Sequence, residues 1–129
     1  MTIRREIDPG WTWDDQFSYS QAVQLENWIY VSGQLALDPK GNVVGRDDMR
    51  AQSRRVFENI EAILRAAGGG RENIVRITAY LTDMSRYAGY NEARAEFFAG
   101  RRPASTTIQV AGLAIPGLLV EVDAVAYIG

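Results

Sequence analysis

The chain contains no cysteine and no histidine among its 129 residues. These two absences exclude Ser-His-Asp and Cys-His nucleophiles, imidazole general bases, and zinc or iron sites with cysteine or histidine ligands. Disulfides are excluded as well, so the sequence gives no sign of an oxidising compartment. Any catalysis must therefore use carboxylates, hydroxyls, amides, backbone N–H groups, arginine or water.

Lysine is nearly absent too, since Lys40 is the only lysine among the 14 basic residues. It lies in the sequence Asp38-Pro39-Lys40-Gly41, which predicts a β-turn because proline fixes φ and glycine tolerates positive φ. A lysine that forms a Schiff base needs a desolvated environment, and the tip of a turn offers little desolvation. Covalent catalysis by lysine is therefore not expected.

The charge balance also excludes classes of partner. A net charge of −2 lacks the positive excess of a general nucleic-acid binder, and the arginine pairs are interleaved with acids. No apolar run reaches the roughly 18–20 residues that span a bilayer. Residues 1–6 lack the apolar stretch of a signal peptide. We expect a cytoplasmic protein that binds neither membrane nor nucleic acid.

Hydrophobic periodicity predicts one α+β domain over residues 1–129. Residues 1–15 are predicted to form an irregular arm. Helices are predicted at about residues 47–67, with Asp47 as the N-cap and Gly68-Gly69-Gly70 at the end, and at residues 87–99. Strands are predicted at residues 17–23, 28–31, 43–44, 75–81, 106–110 and 118–128. The order β-β-β-α-β-α-β-β indicates one mixed sheet with two helices on one face.

The second face of that sheet is predicted to be partly apolar and uncovered. Leu119, Val125 and Tyr127 alternate with the residues of the core face in the last strand. No helix remains to cover this face, so the pattern predicts a homo-oligomer.

Spacing alone identifies two carboxylates on the same face of a strand as candidate catalytic groups. Glu121 and Asp123 are two residues apart, about 6.6 Å along a strand. A half-buried carboxylate there can have a raised pKa and act as a general acid or base, but the spacing by itself favours a salt bridge with one of the arginines at an interface. The pairs Asp14-Asp15 and Asp47-Asp48 bring too few ligands together for a metal site. We therefore expect neither metal nor cofactor.

Three segments, taken in their order along the chain, form a pattern that is specific to one protein family. They are Tyr19–Val23, then Ile29-Tyr30-Val31-Ser32-Gly33-Gln34-Leu35, and finally Pro103-Ala104 through Leu113 to Val120–Ala126. Matching positions between them are Gln52, Asn59, residues 63–68, residues 81–84, Asn91 and Phe97-Phe98. Together they resemble the YjgF/YER057c/UK114 family, also called the RidA or reactive intermediate deaminase family. The resemblance covers about residues 17–128.

The resemblance implies a chorismate-mutase-like fold, a homotrimer, and ligand clefts at the subunit interfaces. Members of the RidA type hydrolyse enamine and imine intermediates such as 2-aminoacrylate without a metal or a cofactor. The positions that match the lining of the cleft are Tyr19, Ser32, Gly33, Asn91 and Glu121. Glu121 matches the carboxylate that handles water or protons, with Tyr19 and Asn91 beside it as catalytic candidates. Polar contacts to substrate are expected from Ser32, Gly33, Ser105, Thr106 and Thr107.

One departure from the family pattern bears directly on activity. The deaminase motif reads Pro-Ala-Arg-Ser, and its arginine holds the substrate carboxylate, whereas this chain has Pro103-Ala104-Ser105-Thr106. Serine cannot make the bidentate, charge-assisted contact of a guanidinium. Arg101 or Arg102 would have to cover about 10–13 Å of extended chain to replace it. Ser105 instead suggests a less anionic ligand, with Trp11, Trp13, Phe17 and Tyr87 shaping the cleft.

Three functions therefore stand as hypotheses. The first is a cofactor-independent hydrolase or deaminase of small enamine, imine or amide-like metabolites. The second is a trimer that binds a small metabolite without turning it over, because Ser105 replaces the anchoring arginine. The third, which rests only on a ribonuclease label within the family, is an endoribonuclease or translation inhibitor.

Overall fold

Six strands and two helices make up the chain in a computed structural model that describes residues 1–129. The strands are β1 (Arg4–Ile7), β2 (Ala22–Leu25), β3 (Trp28–Gln34), β4 (Ile74–Leu81), β5 (Ala104–Gln109) and β6 (Val120–Tyr127). The helices are α1 (Met49–Ala66) and α2 (Tyr87–Phe98). The predicted α+β architecture, a mixed six-stranded sheet with two helices, is confirmed. Neither helix combines the length and apolar character needed to cross a membrane.

The sheet has the strand order β1-β2-β3-β6-β4-β5. Only β4 and β5 pair in parallel, with α2 as the crossover between them, and every other neighbouring pair is antiparallel. This order places β6 in the middle of the sheet and β5 at one edge. The middle motif segment, which contains β3, thus lies between β2 of the first segment and β6 of the last segment.

Both helices cover one face of the sheet, where the core lies. In β6, Val120, Val122, Ala124 and Ala126 are buried while the residues between them are partly or fully exposed. This is the alternation expected of a strand with one covered face. The apolar stripe of α1 packs onto it with residues that are fully buried: Val56, Ile60, Ile63 and Leu64. The face of the sheet that carries Glu121 and Tyr127 is called the open face below.

The structure corrects the prediction of an irregular arm over residues 1–15. Residues 4–7 form β1, in which Arg4 pairs with Leu25 and Ile7 pairs with Ala22. Only Ile7 is buried, whereas Arg4 to Glu6 are exposed. Charged side chains are common on edge strands, whose stability comes from backbone pairing, so hydropathy gives no signal for such a strand.

Two other predicted strands differ from the structure. The predicted strand at residues 17–23 begins only at Ala22, after a short 3-10 helix at residues 14–16 and an irregular segment at residues 17–21. The predicted strand at residues 43–44 is reduced to a single bridge between Val43 and Leu37. Asp38 closes that loop, since its Oδ1 accepts hydrogen bonds from the N–H groups of Lys40 and Asn42, both at 2.9 Å. The strand β3 extends three residues beyond its predicted end, to Gln34, and the remaining elements lie within two residues of their predicted bounds.

The N-cap of α1 is Asp48 rather than the predicted Asp47. The Oδ1 atom of Asp48 accepts a hydrogen bond of 3.0 Å from the Ala51 N–H. Asp47 has a positive φ of 58° and pairs instead with Arg86, at 2.8 Å. Because both residues are aspartates, spacing alone could not tell which of them would take the extended conformation of a cap.

Two apolar residues depart from the simple alternation of a strand. Val75 is 45% exposed because the register between β4 and β6 shifts between Ile74 and Arg76, which gives the core position to Ile74. Leu119 precedes β6 and packs against the core instead of lying on the open face. The open face nevertheless carries Val125 and Tyr127 as predicted, together with exposed Trp28 and Tyr30 of β3.

Candidate functional site

Glu121 is the carboxyl group at the centre of the open face. It lies in the centre of the sheet, partly buried, on the same face as Asp123. Burial raises the pKa of Glu121, and the negative charge of Asp123 raises it further. Asp123, by contrast, accepts a hydrogen bond of 2.9 Å from the hydroxyl of Tyr80. The two carboxylates that spacing could not distinguish thus have different environments, and Glu121 is the one suited to proton transfer.

Gly33 lies directly beneath the Glu121 carboxylate. The pairing of β3 with β6 is irregular between Val31 and Gln34, and Gly33 is part of that irregularity. A Cβ atom at position 33 would lie 2.7 Å from the carboxyl carbon of Glu121, closer than any normal contact. A side chain at position 33 would therefore displace the carboxylate, which gives Gly33 a steric role beside Glu121.

A buried pair of glutamines holds the backbone around Ser32. Gln21 is 1% exposed and Gln34 is 2% exposed, and Gln34 Nε2 donates to Gln21 Oε1 at 2.8 Å. The Ser32 N–H donates to the backbone oxygen of Gln21 at 2.8 Å, and Ser32 Oγ donates to the backbone oxygen of Ser20 at 2.6 Å. Buried amides that are fully paired fix their surroundings. These glutamines therefore position Ser32 and Gly33.

Tyr19 lies at the end of a run of aromatic rings next to this group. The centroids of Trp11 and Trp13 are 5.4 Å apart, those of Trp13 and Phe17 are 5.8 Å apart, and those of Phe17 and Tyr19 are 5.4 Å apart. Burial raises the pKa of Tyr19, and the charges of Asp14 and Glu121 add to the rise while the Gln21 side chain opposes it. The Tyr19 hydroxyl therefore stays protonated at neutral pH and can donate a hydrogen bond. Tyr19 and Ser32 line a surface concavity of about 430 Å³.

Three of the other predicted residues, Asn91, Ser105 and Thr107, lie on the opposite face of the sheet. In β5, Ser105 pairs with Ile77 and Thr107 pairs with Ala79, and both partners are buried under the helices. Because paired residues share a face, Ser105 and Thr107 point toward α2 rather than toward Glu121. Asn91 of α2 belongs to this group as well, as its contacts below show.

Thr106 alone among the predicted residues of β5 lies on the open face. It pairs with Thr78, and its Oγ1 accepts a hydrogen bond of 2.7 Å from Arg76 Nη2. The structure thus divides the predicted site into two groups. The open-face group consists of Tyr19, Ser32, Gly33 and Glu121, with Thr106 farther along the same face. The helix-side group consists of Asn91, Ser105 and Thr107.

Arg94 is the residue of the helix-side group that sequence reasoning missed. Its Nη1 donates to Ser105 Oγ at 3.1 Å, and its Nη2 donates to Asn91 Oδ1 at 2.7 Å and to the Tyr87 hydroxyl at 2.8 Å. A guanidinium thus lies beside Ser105, although it comes from α2 and not from Arg101 or Arg102. The available signal was the i, i+3 spacing of Asn91 and Arg94, which places them on one helix face.

The two groups provide complementary chemistry but do not surround a common space within one chain. The open-face group offers a carboxyl group of raised pKa and hydroxyl donors, and the helix-side group offers a guanidinium and an amide. No three aspartate or glutamate side chains lie close enough together to hold a metal ion.

Comparisons with known proteins agree with this fold. Residues 14–128 match the family described as Endoribonuclease L-PSP. The RutC family protein PH0854 of Pyrococcus horikoshii is 39% identical over 109 residues, covering 84% of this chain and 86% of the relative.

Two solved structures share both sequence and fold with the chain. RidA from the Antarctic bacterium Psychrobacter sp. PAMC 21119 is 41% identical with a TM-score of 0.80, covering 87% of this chain and 89% of that one. Rv2704 from Mycobacterium tuberculosis, described as a member of the YjgF/YER057c/UK114 family, is 32% identical with a TM-score of 0.84 over 98% of this chain and all of that one. With the family match spanning nearly the whole chain and the motifs in the same order, the chain belongs to the YjgF/YER057c/UK114 family.

Proposed function

We propose that the chain is a cofactor-independent hydrolase that converts small enamine or imine metabolites into a carbonyl compound and ammonia. The observation that carries this proposal is the environment of Glu121. Its carboxyl group is partly buried, has a raised pKa, and packs against the backbone of Gly33 near Tyr19. A carboxyl group whose pKa is shifted toward neutrality can both accept and donate a proton during a reaction.

The reaction requires only proton transfers and one water molecule. An enamine such as 2-aminoacrylate takes up a proton at carbon and loses one from nitrogen to become the imine. Water then adds to the carbon of the C=N bond while the nitrogen is protonated, and the tetrahedral product expels ammonia to leave a keto acid. Glu121 is the proposed group that removes the proton from water and returns one to the departing nitrogen. Tyr19 and the N–H groups near Gly33 would orient the water and the substrate.

We further propose that the complete cleft lies between subunits of a homotrimer. Two observations support this assembly. The open-face and helix-side groups lie on opposite sides of the sheet, so that a ligand touching both requires a second copy of the chain. The open face also exposes Trp28, Tyr30 and Tyr127 beside Val125, an apolar surface of the kind that oligomers cover. Sedimentation equilibrium measures the state directly, and a monomer at micromolar concentration would contradict the proposal.

The decisive experiment generates 2-aminoacrylate with a separate enzyme and follows the release of ammonia and pyruvate. We expect the wild type to accelerate hydrolysis over buffer, and Glu121→Gln to lose the acceleration. Glu72→Gln is the matched control, because Glu72 is an exposed carboxylate outside both groups. The absence of any acceleration by the wild type for 2-aminoacrylate and other imines would overturn the proposal.

Binding without turnover is a second candidate function, and Ser105 is the observation that favours it. No arginine occupies position 105, so this strand does not supply the charge-assisted contact that would fix a substrate carboxylate for attack. This candidate predicts saturable binding of metabolites, measured as a thermal shift, with hydrolysis no faster than in buffer. Turnover of 2-aminoacrylate by the wild type would exclude it.

A further inference from the structure

The charges of α2 are sorted onto different sides of the helix. Glu92 and Glu96 point to α1, where Arg50 lies 3.4 Å from Glu92 and 2.7 Å from Glu96. Arg54 also contacts Glu96, at 2.9 Å. The carboxylates of this helix are therefore neutralised by α1. Arg94, on the side facing β5, has no carboxylate within ion-pair distance.

Neutral oxygens and two aromatic rings hold the Arg94 guanidinium in place, and no carboxylate does. Its three hydrogen-bond acceptors within the chain are the Ser105 hydroxyl, the Asn91 amide oxygen and the Tyr87 hydroxyl. Its Cζ atom also lies 5.2 Å from the centroid of the Tyr90 ring and 5.8 Å from that of Tyr87. Arginine has five N–H donors, so two of them, on Nε and Nη1, have no partner in the chain. The guanidinium is thus oriented while its positive charge and part of its hydrogen-bonding capacity remain available to an anion.

A cavity of about 540 Å³ opens next to this guanidinium, between α2 and the start of β5. Arg94, Arg101 and Arg102 line it together with Asn91 and Ser105, and no aspartate or glutamate does. None of the three arginines takes part in an ion pair of the chain. A concave site with positive groups only attracts and holds small anions.

Tyr90 is a buried polar side chain next to this group of residues. Its side chain is fully buried, and its hydroxyl makes no well-formed hydrogen bond within the chain. Burial raises the pKa of Tyr90, while the nearby side chains of Arg94, Thr107 and Ser105 oppose part of that rise. The Tyr90 hydroxyl thus lies among the side chains that surround Arg94, although it does not line the cavity.

We propose that this cavity binds the carboxylate of a small organic anion and that Arg94 is the residue that holds it. Arg94 thereby supplies, from the helix, the guanidinium that position 105 of the strand lacks. A planar guanidinium matches a planar carboxylate, and the cavity has the volume of a small metabolite rather than of a polymer. Only the identification of this anion with the substrate rests on the proposed function. Binding of the anion itself requires no turnover.

The test is calorimetric titration of the wild type with pyruvate, the keto acid formed from 2-aminoacrylate, and with neutral pyruvamide and inorganic phosphate as comparison probes. We expect saturable binding of pyruvate and none of pyruvamide. Arg94→Gln should weaken pyruvate binding about tenfold or more, because charge-assisted hydrogen bonds are lost. Arg5→Gln is the matched control, since it removes the same charge from the opposite edge of the sheet and should change the affinity less than twofold.

Asn91→Asp is a second variant that leaves Arg94 in place. Asn91 Oδ1 already accepts from Arg94 at 2.7 Å, so an isosteric carboxylate would neutralise the guanidinium and compete with pyruvate. We expect it to weaken pyruvate binding as much as Arg94→Gln does. This variant decides the question if Arg94→Gln does not fold, because position 91 is exposed.

Several results would overturn the inference. They are the absence of saturable pyruvate binding by the wild type at tens of millimolar, and unchanged affinity in Arg94→Gln or in Asn91→Asp. Phosphate that binds more tightly than pyruvate at the same residues would overturn the assigned class of ligand. Loss of hydrolysis with intact pyruvate binding would contradict only the proposed function.

Discussion

The Glu121 carboxylate rests on the Cα atom of Gly33, with no room for a Cβ atom between them. A methyl group at position 33 would come 2.7 Å from the carboxyl carbon of Glu121. The contact joins β3 to the central strand β6, at the point where their pairing is irregular. A glycine in β3 thus determines where the carboxyl group of β6 can lie.

Gly33→Ala is therefore expected to displace Glu121 without unfolding the chain. The atoms in the way belong to the end of a side chain, which can rotate, and Gly33 does not have a positive φ. Hydrolysis of 2-aminoacrylate should fall by about a hundredfold, the lower range of what a positioned acid or base contributes. The melting temperature should change little.

A double variant separates this effect from a general disturbance of β3. Once Glu121→Gln has removed the acid–base group, adding Gly33→Ala should cause almost no further loss of activity, because the two substitutions act on one interaction. A full additional loss in the double variant would show that Gly33 acts independently of Glu121.

Glu121→Gln is expected to make the folded chain more stable at neutral pH. The pKa of Glu121 is raised in the folded state, so folding favours the protonated carboxyl group. Its contribution to stability is full below the unfolded pKa of about 4.3 and is lost as the pH rises through the folded value. Glutamine stays neutral throughout, so its advantage over the wild type should grow from acid to neutral pH in urea denaturation.

Glu72→Gln serves as the control in the same titration. Glu72 is exposed, and removing one exposed charge changes stability little. An advantage of Glu121→Gln that was equal at pH 3 and pH 7 would contradict a raised pKa as its cause.

An arginine at position 105 of β5 should be able to replace Arg94 of α2 in binding the anion. In the double variant Arg94→Gln, Ser105→Arg, the strand supplies the arginine and the competing charge of the helix is gone. We expect pyruvate affinity to recover most of what Arg94→Gln loses, measured by calorimetry as a double-mutant cycle. Ser105→Arg alone should gain less than the double variant, since two adjacent guanidinium groups repel each other. A double variant no better than Arg94→Gln would contradict a shared binding position.

Glu61→Gln is expected to lower the free energy of unfolding by about 2 kcal/mol at neutral pH, because charge-assisted hydrogen bonds are lost. Glu61 accepts from Arg71 Nε at 2.6 Å and from Arg71 Nη2 at 2.9 Å. These hydrogen bonds from Arg71 are the main reason why the pKa of Glu61 is lowered. The stabilisation is present above the unfolded pKa and disappears as the pH falls through the folded value, so the cost of the variant should shrink in acid.

The matched control for Glu61 is Glu58→Gln on the same helix. Glu58 pairs with Arg55 at 3.4 Å and is about half exposed, so its removal should cost less than about 0.5 kcal/mol. Equal losses of unfolding free energy for both variants in urea denaturation would show that the Glu61–Arg71 pair contributes no more to stability than an exposed ion pair.

Local sequence patterns predicted the strands and helices whose buried residues recur at a regular spacing. The alternation in residues 120–127 and the stripe of α1 each report which side of an element is buried, because the period of a strand or a helix is set by its backbone. The strand β1 left no such pattern, since three of its four residues are exposed at an edge. The site residues came from motif resemblance, and the spacing of Glu121 and Asp123 alone favoured a salt bridge over acid–base chemistry.

The sequence by itself determined the kind of chemistry. Without cysteine or histidine, and with one lysine in a turn, only carboxyl, hydroxyl, amide and guanidinium groups are available. It also determined the mixed sheet and the absence of arginine at position 105. Only the tertiary structure decided that Glu121 lies on Gly33, that the predicted residues divide between two faces, and that Arg94 reaches Ser105. The physical reason is that these contacts join residues on different elements, whose mutual placement depends on packing and strand register and leaves no local pattern along the chain.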